Sequence, residues 1–514
     1  MLEEPKMDLY KSNTTTSKAV TEHNGDALEG RQRQMEVSFN LWSTLGLVYS
    51  ITATPVSIGS YLTFSLVLGG APFFIYGYIF AVCFNIILCV ALAEVASIYP
   101  HPSGHIYWVG RLAPKSWAAL LSYSTGILTS AAWFFWNAGT YLLTSQILLA
   151  MVMVLYPNRY TTYPAWHVVL LAFAEGLLAI LLNIPFFKTL PSMFKCMVVL
   201  TNTGILFLAV SLLVRAEPKQ TAHSVFVEVV NQSGWPSVGV VFFLGLLPGT
   251  TAINGFDSAS HLVEEMSDPA RQVPQVMIGN ALLSGSLGLP MAIIFCFCIT
   301  HSENLLAPVG GVTIVQLFHD ALRSKALFTI ASLLYVLVTL AGGVAVTTTV
   351  GRVWWSFSTH RGLPFHSWLA KIHKTKYWAV PTNAICASAF FSCLVLLVQL
   401  GPSFVLAGIF STANICFYLS YAITLACFLQ KKWTQGLPPH YLDLKGVLGD
   451  VLGVVSIIWC LFASVWLMVP YYLPVTPQLM NWSVAILGVV IVLSSVDWFV
   501  RARKSYIIPS LLIL

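Results

Sequence analysis

Asp257, His261 and Glu264 or Glu265 follow one another at spacings that place them along one face of a helix. Carboxylates and an imidazole in file are a means of passing protons: histidine titrates near neutrality, and ionisable groups inside a membrane default to function. The plainer alternative is that Glu264 and Glu265 cap the helix or pair with loop arginines such as Arg271. Glu175 stands in the middle of another apolar run, either as a proton site or as a packed scaffold group. Lys195 either supplies a fixed positive charge or snorkels its ammonium to the surface.

Two apolar runs are interrupted by residues that end helices or compete for their hydrogen bonds. The first break is Thr52-Ala53-Thr54-Pro55-Val56-Ser57-Ile58-Gly59 and the second Pro248-Gly249-Thr250-Thr251-Ala252-Ile253-Asn254-Gly255. Proline removes an amide donor and glycine tolerates almost any backbone conformation. Non-helical backbone at membrane depth survives only where it is buried in protein or lines a cavity. Helix ends exposed there offer amides to a carboxylate and carbonyls to a cation. Thr54, Ser57, Ile58 and Gly59 on one side, and Thr250, Thr251, Asn254, Gly255 and Phe256 on the other, are therefore the candidate substrate contacts. Phe256 either closes over the solute or simply packs. Trp133 and Trp136 either present a π face to an ammonium or fill the core.

The elements that must position these residues are membrane helices. Of 514 residues, 57% are hydrophobic and 9% charged, against about 25% charged in a soluble domain. The mean hydropathy of +0.77 agrees. A water-soluble protein is excluded. Each crossing needs about 20 apolar residues, and twelve such spans are expected at 41–68, 71–98, 117–149, 165–184, 189–214, 237–265, 275–300, 326–357, 381–400, 403–429, 450–470 and 481–500. Alternating strands of a barrel are lacking, so the fold class is all-α integral membrane. The breaks fall in spans 1 and 6, at matched places in two halves of five helices. That is the pattern of inverted repeats around a midplane site. The repeats run about 39–214 and 237–429, with two additional C-terminal helices over 450–500.

Residues 1–38 read as a disordered cytosolic tail, 39–501 as one twelve-helix domain and 502–514 as a short cytosolic tail. Placing both termini in the cytosol puts 21 of the 26 Lys and Arg on that side. The net charge of +6 thus follows from topology and calls for no nucleic acid. The ten cysteines all fall in expected spans and suggest no disulfide framework; neither a metal nor a cofactor is expected. Asn231, with Gln232 and Ser233, forms a glycosylation sequon in an expected outer loop.

The run Gly255-Phe256-Asp257 through His261, Glu264, Glu265, Asp268-Pro269, Arg271 and Pro274 resembles the sixth-helix signature of the amino acid, polyamine and organocation transporter superfamily. Within it, the resemblance is to the fungal amino acid/choline/GABA permease branch. Glu94, Ser97, Tyr99, Pro100, Gly104, Tyr107, Trp108 and Pro114 are similar to the end of that family's second helix and first loop. Arg352, Trp355, Gly362, Leu363, Pro364 and Phe365 add a weaker likeness. Departures occur too. Where the family carries Ser-Gly-Gly-Gln-Tyr-Tyr-Trp, this chain has Pro102-Ser103-Gly104-His105-Ile106-Tyr107-Trp108, and Ser358-Thr359-His360 replaces Ala-Arg-Asp. The resemblance implies a site between helices 1 and 6 walled by helices 3, 8 and 10, and places Lys195 where sodium-dependent relatives hold an ion.

The expected function is secondary active transport of a small amino acid or amine, such as GABA or choline, by alternating access and with protons as the driving partner. A plasma membrane is favoured over a vacuolar one. No phosphate-binding loop is present, and the histidines lack zinc-type spacing for an embedded enzyme. The alternatives are an exporter or vacuolar transporter of a specialised metabolite, or a non-transporting nutrient sensor of the same fold.

Overall fold

The computed structural model describes residues 31–32, 35–375, 378–400, 405–477, 479–510 and 512–513. Residues 1–30, the bulk of the expected cytosolic tail, lie outside them. Two compact units are present. In the small one, Arg31–Gln32 pairs in parallel with Leu512–Ile513. The large one, 34–509, is helical and contains, among the described residues, twelve helices long and apolar enough to cross a membrane. They are Leu41–Val67, Gly70–Ile98, Ala118–Leu155, Ala165–Asn183, Phe187–Arg215, Val238–Glu265, Pro269–Phe297, Lys325–Thr359, Thr382–Leu400, Leu406–Gln435, Gly446–Trp466 and Ser483–Ser505, numbered here as spans 1 to 12. The protein is an all-α, multi-pass membrane protein.

The two halves share an order of elements. In each, a broken span is followed by a helix of 29 residues, a short connecting helix and a very long helix. The connecting helices are His105–Leu112 and Thr313–Leu322. The first packs against the second half of span 6, and the other against the second half of span 1, where Thr63 and Thr313 share a hydroxyl hydrogen bond of 2.5 Å. Spans 1, 2, 6 and 7 pack as one group and spans 3, 4, 8 and 9 as another, with span 10 laid against span 3 and span 11 against span 10. Spans 10, 1 and 6 are the most enclosed; spans 5 and 12 face outward.

Both breaks are shorter than the sequence pattern implies, and neither proline makes one. Span 1 is helical to Thr52, turns through Ala53 in the left-handed region (φ 39°) and resumes at Thr54 with Pro55 in its first turn. In span 6, Pro248 opens the short helix Leu247–Thr251; the chain then unwinds over 252–255 and restarts after Gly255 (φ 87°). Proline suits a first turn because the amide it lacks has no partner there. The second half of span 6, Phe256–Glu265, winds as a 3-10 helix, tighter than the α-helix behind the expected single file.

The face carrying Met35 and Ile507 is called the near face below. There Met35–Phe39, at the end of the expected tail, docks on span 6. Ser38 and Phe39 each donate an amide to the Glu265 carbonyl at 3.0 Å. At the other end, Tyr506 bonds to the Ser122 hydroxyl at 2.7 Å and the Ile507 amide donates to His360 at 3.1 Å.

Gly249 brings span 6 against span 2 so closely that a Cβ there would stand 2.7 Å from that of Ala81 and 3.0 Å from the Tyr78 backbone. Gly249→Val is expected to cost about 1–3 kcal/mol, read as a lower unfolding midpoint in detergent. Adding Ala81→Gly should restore only part of it, because the Tyr78 backbone stays.

Candidate functional site

Unwound backbone leaves carbonyls that need donors, and side chains supply them. The Thr54 hydroxyl donates to the Ala252 carbonyl, tying the first break directly to the second. Ser57 donates to Thr52 O at 2.7 Å. Asn85, a lone amide in span 2, reaches the carbonyls of Gly249 (3.4 Å) and Thr250 (3.2 Å). Its own Oδ1 accepts from Tyr418 at 2.9 Å and Trp459 at 2.8 Å. Asn254 donates to Asn414 of span 10.

Beside the breaks lies a cavity of about 40 Å³ lined by Ser57, Tyr61, Trp136, Thr140, Thr251 and Phe410 among others, with no carboxylate or basic side chain. Tyr61, Leu143 and Phe410 also line a neighbouring hollow of about 370 Å³ toward the far face, bounded by Thr63, Leu306, Thr313 and Tyr471. A thin aromatic layer therefore separates the two.

Of the candidate substrate residues, Ser57 and Thr251 line the small cavity. Thr54, Thr250 and Asn254 are buried: Thr54 ties the two breaks, Thr250 donates within its own short helix to Leu247 O at 2.9 Å, and Asn254 donates to Asn414 of span 10. Ile58 is buried; Gly59 faces Ile314 and Phe295; Gly255 faces Ile51 and Trp133. Phe256 stacks on Tyr421, centroids 5.5 Å apart, on the near side. Trp136 lines the cavity, whereas the Trp133 indole donates to Asp257 Oδ2 at 3.2 Å. Asn231 is exposed between spans 5 and 6, and its amide donates to Trp235 O at 2.7 Å.

Below the breaks the near face is closed in depth. Asp257 is fully buried: Tyr421 donates to Oδ1 at 2.9 Å, and around Oδ2 stand the Trp133 indole, His261 Nε2 at 3.4 Å and His105 Nδ1 at 3.8 Å. His261 donates from Nδ1 to the Pro102 carbonyl at 3.0 Å. Burial pushes the His105 imidazole down to about 4 from its usual 6.5. Further out the expected file divides. Glu264 accepts the Met35 amide at 3.2 Å, and Glu265 forms a two-pronged ion pair with Arg352, whose guanidinium lies 5.4 Å from the centre of the Phe187 ring. Arg271 instead lies over the Tyr441 ring. Glu175 is buried between spans 3, 8 and 9, against Gly343 and facing Tyr141, Thr144 and Cys393. Lys195 is exposed on span 5.

Among the described residues, two groups bring three metal-capable atoms within 4.8 Å of one another: His105, Asp257 and His261, and the more open Glu94, His440 and Asp443. Sequence reasoning passed over Asn85, His105, Tyr61, Phe410 and Tyr421 as contacts. An asparagine inside an apolar run signals Asn85, and the loop's departure from the family signals His105. The aromatics carry no signal distinguishing them from core.

Paired breaks in two enclosed spans, with a hollow beside them and gates of unequal thickness, define a membrane transporter. The chain belongs to the Amino acid permease family, which residues 39–492 match. It is similar to the choline transporter of Saccharomyces cerevisiae, 25% identical over 470 residues, 91% of this chain and 82% of the relative. A swainsonine transporter of Arthroderma benhamiae is 27% identical over 485 residues, 92% and 93% of the two chains. The amino-acid permease BAT1 of Arabidopsis thaliana is 25% identical over 494 residues, 93% and 94%. The protein is accordingly a membrane transporter of the amino acid permease family and not an enzyme.

The Glu265–Arg352 pair is almost fully enclosed, so removing one partner strands the other charge. Glu265→Gln is expected to lower stability by about 3–5 kcal/mol, and Glu265→Gln with Arg352→Met by much less. Denaturant unfolding of both variants checks this.

Proposed function

We propose that the protein is a secondary active transporter that binds a small amino acid or amine between the two breaks and moves it by alternating access, driven by a proton gradient. The observation that carries this reading is the pair of breaks bound to each other through Thr54 and Ala252 beside a hollow. The hollow holds a small polar group as it stands, so a whole solute requires Tyr61 and Phe410 to yield toward the larger hollow. Trp136, Phe410 and Tyr61 suit an ammonium group through their π faces, and Ser57, Thr140 and Thr251 offer hydroxyls. The choline transporter among its relatives favours an amine such as choline or GABA. With both termini in the cytosol of a plasma-membrane protein, the structure corresponds to a state closed deeply inward and thinly outward.

Proton coupling is assigned to Glu175. Both its oxygens are enclosed, and the Thr144 hydroxyl of span 3 is the polar neighbour beside them. The other titratable groups facing it are Tyr141 of span 3 and Cys393 of span 9. A carboxylate held there without a cation carries a desolvation cost that a proton removes. Span 3 also presents Thr140 and Leu143 to the cavity, so the charge state of Glu175 bears on a cavity wall. A second reading, movement of a specialised metabolite out of the cytosol, is favoured by the swainsonine transporter among the relatives.

The test is uptake of amino acids, GABA, choline and polyamines in a permease-deficient cell and in vesicles. One class should accumulate more under an inward proton gradient. Thr251→Val should raise KM by roughly 2- to 10-fold, the value of one hydrogen bond. Glu175→Gln should retain exchange but lose the response to the gradient. Accumulation indifferent to pH in the wild type removes the coupling; a Glu175→Gln protein still driven by the gradient removes Glu175 from it.

A further inference from the structure

We propose that His105, Asp257 and His261 form a binding site for a divalent transition-metal ion of the zinc class, and that an ion bound there holds the near-face gate shut. The gate-holding part rests on the transporter reading above; the binding part does not.

The geometry suits coordination better than hydrogen bonding. His261 Nε2 and His105 Nδ1 stand 3.4 and 3.8 Å from the same oxygen, Asp257 Oδ2. Those separations exceed the N–H···O range of about 2.7–3.2 Å. The first matches the edge of a tetrahedron, roughly 3.3–3.4 Å, built on metal–ligand bonds of about 2.0–2.1 Å; the second is longer, and all three ligand atoms lie within 4.8 Å of one another. Both ring nitrogens of His105 are enclosed without a hydrogen-bond partner, and the enclosed His261 Nε2 faces the Asp257 carboxylate. Buried nitrogens in that condition call for an occupant.

The surroundings supply what a ligand set needs. Donation from His261 Nδ1 to Pro102 O fixes the tautomer, leaving the Nε2 lone pair aimed at the shared point. The Tyr421 hydroxyl on Oδ1 holds the carboxylate so that Oδ2 faces the histidines. The His105 ring is gripped edge-on by Trp108, centroids 4.8 Å apart, and tilted against Tyr421 at 5.0 Å. Two imidazoles and one carboxylate select zinc, cobalt, nickel or copper over magnesium or calcium, which prefer oxygen. His105 is also a departure of this chain from the glutamine of the family it resembles.

The mechanical consequence follows from which elements carry the ligands. His105 begins the short helix His105–Leu112, while Asp257 and His261 belong to the second half of span 6. Opening toward the near face has to part these elements, and an ion bridging them opposes that.

The experiment uses the purified full-length protein in detergent, stripped with chelator and equilibrated for hours with Co²⁺. The wild type is expected to bind one equivalent with the visible bands of a nitrogen- and oxygen-ligated ion. His105→Gln and Asp257→Asn, each first shown to elute as a single folded species, should lose affinity by about 100-fold. His440→Gln, which removes the other cluster, should leave it unchanged. Should either gate variant fail to fold, electron paramagnetic resonance of wild-type protein with Cu²⁺ counts the imidazole nitrogens directly, and two are expected. Absence of a saturable Co²⁺ band, an unaltered affinity in His105→Gln, or fewer than two nitrogens overturns the site. Because no solute is involved, these binding outcomes are independent of transport. In vesicles, Zn²⁺ at the near face should slow exchange at least tenfold in the wild type and not in His105→Gln. Binding without inhibition overturns the gate-holding part alone.

Discussion

A peptide carbonyl with no donor, deep in a low-dielectric interior, costs several kcal/mol, and this structure answers that cost at each place where a helix is unwound. The answer is made by short polar side chains rather than by water-facing loops. Thr54 serves the second break, Ser57 the first, and Asn85 of the neighbouring span the turn before the second. Ser57 acts within span 1, whereas Thr54 and Asn85 reach span 6 from spans 1 and 2, so the second break is satisfied only when spans 1, 2 and 6 are assembled together. The same hydroxyl that satisfies Ala252 also fixes the separation of the two breaks, so the interaction that permits the site also sets its width.

The two faces are closed by different kinds of contact. Toward the far face three residues, Tyr61, Leu143 and Phe410, stand between the hollows. Toward the near face come Phe256 on Tyr421, then Asp257 with its four neighbours, then Glu265 with Arg352, then the docked segment Met35–Phe39. A buried ion pair contributes little net stability because desolvation offsets its attraction, yet it is intolerant of wrong partners. That combination suits a closure that has to be specific and still come apart, whereas an all-apolar plug of the same depth would open reluctantly.

Most of the fold was legible because its signal is long and one-dimensional. Runs of apolar residues define twelve crossings, and their ends agree with the structure to within a few residues except where helices extend into the aqueous boundary, as at 150–155 of span 3 and 269–274 of span 7. The breaks were legible as regions but not as conformations. Proline reads as an interrupter, and only the structure shows Pro55 and Pro248 beginning helices, with Ala53 and Gly255 making the turns. The file from Asp257 to Glu265 was drawn on a 3.6-residue period. At the tighter 3-10 winding the residues diverge, so Glu264 and Glu265 meet Met35 and Arg352 while Asp257 meets His105. Contacts of that kind join distant parts of the chain, and no local pattern encodes them.

The placement of charge then constrains how coupling can operate. The hollow beside the breaks is lined by hydroxyls, aromatic rings and aliphatic groups, and no carboxylate is among its lining residues. Asp257 is reached through Trp133, one turn of span 3 from the cavity-lining Trp136, and Glu175 lies behind the same helix, whose Thr140 and Leu143 face the hollow. On the proposed reading a solute there would touch no carboxylate or basic side chain, and its charge would be met by π faces and helix ends, which are weaker and less directional than a carboxylate. Under the proposed coupling, a change of charge behind the wall would act through span 3, by shifting a helix rather than by contact with the solute. Span 3 is the element common to both sides of that wall, and it packs along span 10, which also carries Phe410 of the thin gate and Tyr421 of the thick one. One helix pair thus touches the hollow, the carboxylates and both closures. In a bundle packed to solid density, that is a sufficient physical connection for closing one face to be felt at the other.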